Sequence, residues 1–187
     1  MLRVWQDYHF YTVRTQKVTL SAASYTYDGK VKKPSVTVKD SKGNKIGSQY
    51  YTVSYPSGRK NVGKYTVKVT FKGNYIGSKS ATFAIKPKGT SVAKVTAAKK
   101  GFKVTWKKQA TQTTGYEVQY STASNFKKGT KTVTVSKNKT TSKSVSKLSA
   151  KKKYYVRVRT YKTVKVNGKN VKLYSGWSKA KSVTTKK

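Results

Sequence analysis

The chain has no cysteine, one histidine (His9) and four acidic residues, Asp7, Asp28, Asp40 and Glu117. Without cysteine there is no disulfide, no thiol nucleophile and no Cys/His zinc site. Four acids scattered along 187 residues leave no evident carboxylate pair for acid–base work, and a serine triad cannot be assembled. The expectation is a non-enzyme that needs neither metal nor cofactor. Leucine is scarce, with 4 residues, and glutamate occurs once, so strong helix formers other than lysine are few. No apolar run approaches the ~18–20 residues of a membrane span, and the opening MLRVWQDYHFYTVRTQ has no signal-peptide core. If the protein is exported, this chain is then a fragment or carries a misassigned start. Absence of cysteine fits the cytosol and a disulfide-free secreted protein equally.

Basic residues and strand formers are abundant. Lys and Arg total 43, the formal charge is +39, and mean hydropathy is −0.74. Low hydropathy with high charge is ordinarily the signature of disorder. Here, however, 23 Val, 25 Thr and 15 Tyr supply strand formers, and Val, Tyr, Phe and Trp alternate with Lys, Thr and Ser over many segments. A disordered polycation has no reason to keep a period of two, so the chain is read as all-β with a cationic outer surface. The basic residues divide into 38 Lys and 5 Arg. Arginine suits planar, bidentate recognition, whereas lysine is a hydrated point charge. The balance points to diffuse attraction to a polyanion rather than sequence readout, with solubility and self-repulsion as the alternative. A monomer is the expected state.

Residues 1–14 stand apart as an aromatic, nearly neutral tail or the remnant of an upstream segment. From 15 to 87, short alternating strands are separated by turn signals. PSVTVKD places Val36 and Val38 together, YYTVSY aligns Tyr51, Val53 and Tyr55, KYTVKVTFKG turns Tyr65, Val67, Val69 and Phe71 inward, and ATFAI adds Phe83 and Ile85. The turn Asp40-Ser41-Lys42-Gly43-Asn44 is read as a hairpin loop rather than a calcium loop, since lysines surround it and the acidic closing ligand is missing. Pro87 and Gly89 mark a linker, and a second strand series fills 88–187. In it GFKVTWKK aligns Phe102, Val104 and Trp106, GYEVQYS aligns Tyr116, Val118 and Tyr120, and Asn167-Gly168 is a strong hairpin signal. Clean alternation implies antiparallel sheets with one wet face, and hence two tandem sandwiches.

The second series resembles a fibronectin type III domain, on Trp106, on GYEVQYS as strand C, and on Leu148 six residues before Tyr154 in LSAKKKYYVRVRT. The resemblance implies a tyrosine corner in which Tyr154 bonds back to the loop before strand F. The first series resembles the bacterial immunoglobulin-like repeats, most of all in NVGKYTVKVTFKGNY. Such pairs are similar to C-terminal modules of large surface or secreted proteins of Gram-positive anaerobes. The resemblance implies an extracellular spacer or interaction module, although no sortase motif of the LPxTG kind stands near the C-terminus.

Charge is unevenly divided. Residues 88–187 hold 27 Lys+Arg and one acid, and residues 15–87 hold 14 and two. On the inferred topology Lys99-Lys100 fall in the A–B turn, Lys127-Lys128 in the C–C′ loop and Lys151-Lys152-Lys153 in the E–F loop. These loops share one pole, where Lys186-Lys187 also emerge. Like charges so placed cost stability unless screened. The pole is therefore a candidate dock for an anionic cell-wall polymer such as teichoic acid; exposed loops that simply collect lysine are the alternative. A second candidate is the outward stripe Tyr155, Arg157, Arg159 and Tyr161, suited to stacking on bases or sugars. Its competitor is a cross-strand pair between Glu117 and one of the two arginines. Trp106 and Trp177 are read as packing residues. Nucleic-acid binding and adhesion to a host protein or glycan remain as rival functions.

Overall fold

The computed structural model describes residues 11–12 and 16–187; the expected aromatic tail, 1–14, lies almost wholly outside them. The described residues form two compact units, one holding Gly29–Ile85 with the described residues up to Tyr25, the other Thr26–Asp28 with Lys86–Lys187. Both are built from strands, and the fold is an all-β sandwich.

In the first unit β1 (Tyr11–Thr12), β2 (Lys17–Leu20), β3 (Ser24–Thr26) and β4 (Val36–Lys39) precede a short 3₁₀ turn, Ser48–Tyr50. They are followed by β5 (Tyr51–Ser54), β6 (Gly63–Phe71), β7 (Tyr75–Ile76) and β8 (Ser78–Lys86). Strands β2 and β4 form one sheet, β3-β8-β6-β5 another, and β1 pairs in parallel with β7. The period-two pattern decides the packing. On β6, Val67, Val69 and Phe71 are buried while Lys64, Thr66, Lys68 and Thr70 face water. Val38, Ile46, Val69 and Phe71 form a core that Val18, Val36, Tyr51 and Val53 close from both sheets. Asp40 accepts the backbone N–H groups of Lys42 and Asn44, both at 2.9 Å, and Gly43 takes φ +89°. The segment is thus an Asx-type turn. Burial pushes the Asp40 carboxyl up, but hydrogen bonds from Asn44, Lys42 and Gly43 outweigh it and hold it below its ordinary value.

In the second unit β9 (Val92–Ala98), β10 (Gly101–Trp106) and β13 (Ser142–Val145) make one sheet, in the order β13-β10-β9. β11 (Gly115–Ser121), β12 (Lys131–Val135), β14 (Lys153–Val166), β15 (Lys169–Tyr174) and β16 (Lys181–Thr184) make the other. Phe102, Val104, Trp106, Tyr116, Val118, Tyr120, Val156 and Val158 fill the space between them. Asn167 and Gly168 both take positive φ, +50° and +78°, as a two-residue primed hairpin turn requires, and β15 leaves that turn in register with β14. Along the other half of β14 the partner is β16. Between β15 and β16 the ladder is carried by two serines. Ser175 Oγ accepts Thr160 N–H at 3.1 Å and Ser178 Oγ accepts Val158 N–H at 3.0 Å, while the N–H groups of both serines donate to β14 carbonyls. Their hydroxyls satisfy strand donors that would otherwise be orphaned. They also hold the intervening Trp177 over the sheet.

Candidate polyanion-binding pole and the arginine ladder

Two of the three lysine-bearing loops of the second unit are tied to one another and to the C-terminal residues by backbone hydrogen bonds. In the β9–β10 turn, Lys100 N–H donates to Lys186 O, and Lys186 N–H donates to Ala98 O, each at 3.0 Å. Lys99 and Lys186 thereby form a parallel bridge. Leu148 N–H donates to Lys100 O at 2.9 Å, joining the β13–β14 corner to the same turn. The β11–β12 loop starts where Ser121 stands opposite Tyr155, two residues beyond Lys153, and Ser121 Oγ donates to Lys128 O at 2.7 Å. Lys99, Lys100, Lys127, Lys128, Lys151, Lys152 and Lys153 are all exposed, as are Lys186 and Lys187. Lys147, not singled out in the sequence, is exposed beside them.

The corner is fastened otherwise than the resemblance implied. Tyr154 is buried and its ring meets Phe102 and Tyr120, at centroid distances of 6.3 and 6.2 Å. Among the described hydrogen bonds none uses its hydroxyl. The fastening comes from Thr185. Its hydroxyl donates to Ser149 O at 2.6 Å and accepts Lys152 N–H at 3.0 Å, and its carbonyl accepts Lys151 N–H at 3.1 Å. Leu148 and Trp106 are buried packing residues; Trp106 lies 5.2 Å from the Tyr116 ring, and its buried Nε1 has no hydrogen-bond partner among the described residues.

Three of the pole's lysines adopt left-handed backbone: Lys100 (φ +44°), Lys147 (φ +59°) and Lys151 (φ +52°). For a residue with a Cβ that conformation costs about 1–2 kcal/mol, and glycine would adopt it freely. The pole thus combines local backbone strain with unneutralised charge. The one acid of residues 88–187, Glu117, is used elsewhere.

That acid belongs to the outer face of the five-stranded sheet, where Glu117 stands directly across from Arg159, and Gln119 from Arg157. Arg159 grips Glu117 Oε2 through Nε at 3.0 Å and Nη2 at 2.7 Å. Arg157 grips Gln119 Oε1 through Nε at 2.8 Å and Nη2 at 2.5 Å. Rings interleave with the two guanidinium groups. Arg157 lies 3.9 Å from the Phe126 centroid and 4.8 Å from Trp177, and Arg159 lies 4.2 Å from Trp177 and 3.8 Å from Tyr174. The order Phe126, Arg157, Trp177, Arg159, Tyr174 is a cation–π ladder. Burial and the neighbouring Arg159 charge push the Arg157 guanidinium below its ordinary value. Burial and Glu117 push the hydroxyls of Tyr161 and Tyr174 up.

The stripe read from the sequence is therefore closed over much of its length. Alternation placed Tyr161 on an open face; it is instead buried, with Tyr174 at 6.1 Å and the Lys172 ammonium at 4.6 Å. Tyr155 is half-buried beneath the Lys153 ammonium at 5.5 Å. The i, i+2 spacing of the arginines and the cross-strand partner Glu117, read as pairing with one of them, were the sequence signals of the ladder. Its rings come from a loop (Phe126), the last residue of β15 (Tyr174) and the break between β15 and β16 (Trp177), so nothing local announced them as a set.

Residues 85–174 match the family model of the fibronectin type III domain. Comparison with the curated proteins finds no match. Among solved structures, the FN1–FN3 domains of chicken CNTN1 are 18% identical, covering 81% of this chain and 62% of that one, with a TM-score of 0.47. This chain thus spans somewhat under two thirds of that structure's length. A β-1,2-glucanase from Parabacteroides distasonis is 13% identical over 66% of this chain and 18% of its own, at TM-score 0.40. Tandem domains of titin are 17% identical over 92% and 66%, at TM-score 0.38. Strand order, core and family match agree on the second unit: residues 85–174 are a fibronectin type III-type module.

Proposed function

We propose that the chain is a non-catalytic spacer and interaction segment of an extracellular or cell-surface bacterial protein. In this reading it consists of an immunoglobulin-like module over 15–87 and a fibronectin-type module over 88–187. It is retained at the envelope by electrostatic association of its lysine pole with anionic wall polymers of the teichoic acid kind. One observation carries the reading. Lys99, Lys100 and Lys151–Lys153 lie on two loops whose backbones are bonded to one another and to the C-terminal Thr185 and Lys186, and Lys127 and Lys128 stand on the loop that leaves β11 where Ser121 faces Tyr155. Seven exposed cations on these loops raise the local potential, which a polyanion lowers.

The test measures binding of the chain to purified wall sacculi, with and without teichoic acid, and to duplex DNA, across a salt series. Binding that disappears when teichoic acid is stripped supports the reading. Equal binding to stripped walls, or tighter binding to DNA at matched salt, overturns it. The triple variant Lys151→Gln/Lys152→Gln/Lys153→Gln should weaken binding and flatten the log–log salt slope by about 2–3, one released counterion per lysine. A control triple at Lys64, Lys68 and Lys72, exposed positions on and beside β6, should change it less. Equal effects would show that the pole is not special.

A further inference from the structure

The two sheets of the second unit end in two lateral margins, and the margins are treated differently. At one, β9 is met by residues near the C-terminus. Lys186 N–H donates to Ala98 O at 3.0 Å, and the Lys181 ammonium donates to Ala93 O at 2.8 Å. At the other margin stand β12 and β13, and among the described strands each pairs with one neighbour only, β11 and β10 respectively. Between them lies a groove of about 230 Å³, lined by residues 134–137 on one side and by Thr140, Ser142 and Lys143 on the other.

The pairing register shows which backbone groups face this margin. Ser175 and Ser178 donate their N–H groups to Thr160 O and Val158 O, so those β14 residues bond away from β11. Strand residues alternate in direction, so Arg157 and Arg159 bond to Gln119 and Glu117, opposite which they stand. Tyr116, Val118 and Tyr120 then bond to Val135, Val133 and Lys131. The N–H and C=O groups of Thr132 and Thr134 are left facing away from the sheet. On the other side of the groove, Trp106 N–H donates to Thr141 O at 3.0 Å. The same alternation turns Ser142 and Ser144 outward.

An outward row of strand donors and acceptors is a template for another strand, and sheets ordinarily blunt it with a proline, a bulge or a central lysine. β12 has none of these. Its register with β11 runs without a shift, and its one lysine, Lys131, is its first residue. Lysines stand instead around the groove: Lys131, Lys137, Lys139 and Lys143 are exposed. Glu117 lies across from Thr134 but is gripped by Arg159. The margin therefore repels a second copy of a chain of charge +39 and favours an acidic strand. No aromatic ring lines the groove to stack on a sugar.

We propose that β12 is a docking edge for an extended acidic peptide of another protein, which adds beside it as a further strand. The peptide backbone bonds Thr132 and Thr134, and its carboxylates reach Lys137 and Lys143. One set of its alternate side chains continues the face of Val133 and Val135, which pack against the core. This surface uses backbone pairing and stands on other residues than the lysine pole, so it holds whether or not the pole binds a wall polymer.

The experiment follows amide hydrogen exchange in the whole chain, labelled with nitrogen-15, during titration with a short peptide of alternating glutamate and valine, blocked at both ends. At saturation the Thr132 and Thr134 amides should exchange about tenfold more slowly or better. A peptide of the same composition, with its glutamates in one block, should leave them unchanged. Thr134→Pro should fold, because an edge strand accepts proline where the N–H faces water, and should bind about tenfold more weakly. Lys137→Gln/Lys143→Gln should weaken binding about threefold to tenfold at low salt and much less at high salt. The Lys151→Gln/Lys152→Gln/Lys153→Gln variant should bind the peptide like the parent chain. Unchanged exchange at Thr132 and Thr134 overturns the site, as does equal slowing by the block peptide or equal binding by Thr134→Pro. Protection of the same amides by self-association of the chain alone, or by polygalacturonate more tightly than by the peptide, overturns the assignment of the occupant.

Discussion

The lysine pole and the arginine ladder lie in the same unit and treat positive charge in opposite ways. At the pole, exposed ammonium groups stand on turns without a carboxylate from residues 88–187 to answer them. On the ladder, two guanidinium groups are gripped by Glu117 and Gln119 and pressed between rings at 3.8–4.8 Å. The difference teaches which cation builds structure here. A planar, weakly hydrated guanidinium can be stacked and forked, and so becomes part of the packing; an ammonium keeps its water and stays available to a partner. In the second unit, charge is structural where it is arginine, and exposed without a carboxylate partner among the described residues where it is lysine at the pole.

The strongest way to break that contrast is Arg159→Ala. Glu117 is only 6% exposed, so removing Arg159 leaves a buried carboxylate without its counter-charge, with the Tyr174 hydroxyl still bonded to it. The expected loss is about 3–5 kcal/mol of unfolding free energy, measured by denaturant unfolding. A loss below ~1 kcal/mol would place Glu117 in effective contact with water and make the pair an ordinary surface one.

Next comes Trp177→Ala, which removes the ring shared by both guanidinium groups and keeps every hydrogen bond of the ladder. Each stacked contact is worth roughly 0.5–2 kcal/mol, so the expected destabilisation is about 2 kcal/mol. Combined with Arg157→Ala, the two changes should be clearly non-additive in a double-mutant cycle. Additive effects would mean that the ladder is proximity without coupling.

The smallest effect sharpens the other side. Lys151→Gly relieves a left-handed lysine and removes a like charge; Lys151→Gln removes the charge alone. Both should stabilise at low salt. The gain of the glutamine variant should fade as salt rises, whereas the glycine variant should keep about 1 kcal/mol from its backbone, the only part salt does not screen. If the two variants track each other through the salt series, the positive φ of Lys151 is not a strain.

Much of the fold is legible along the chain because a strand has a two-residue period. Val67, Val69 and Phe71, or Phe102, Val104 and Trp106, announce their buried face without any knowledge of their partners. Asn167-Gly168 likewise announces its turn, since both residues accept positive φ. The corner shows where local spacing misleads. Leu148 and Tyr154 have the right separation, yet the bonds that fasten the loop come from Thr185, more than thirty residues away. Phe126, Trp177 and Tyr174 were unreadable as a set for the same reason: each meets an arginine of β14 from a different part of the chain.

Composition and periodicity by themselves determined the all-β class, the scarcity of acids with which to answer the charge, and the concentration of lysine in the second half of the chain. These follow from residue chemistry and a two-residue repeat, which need no long-range contact. Only the tertiary structure decided which cations are neutralised and which are left free. Pairing register brings Glu117 across from Arg159 and Gln119 across from Arg157, and the folding-back of Trp177 and Phe126 completes the stack. Distances across strands are set by the sheet, so the fate of each charge is written in three dimensions.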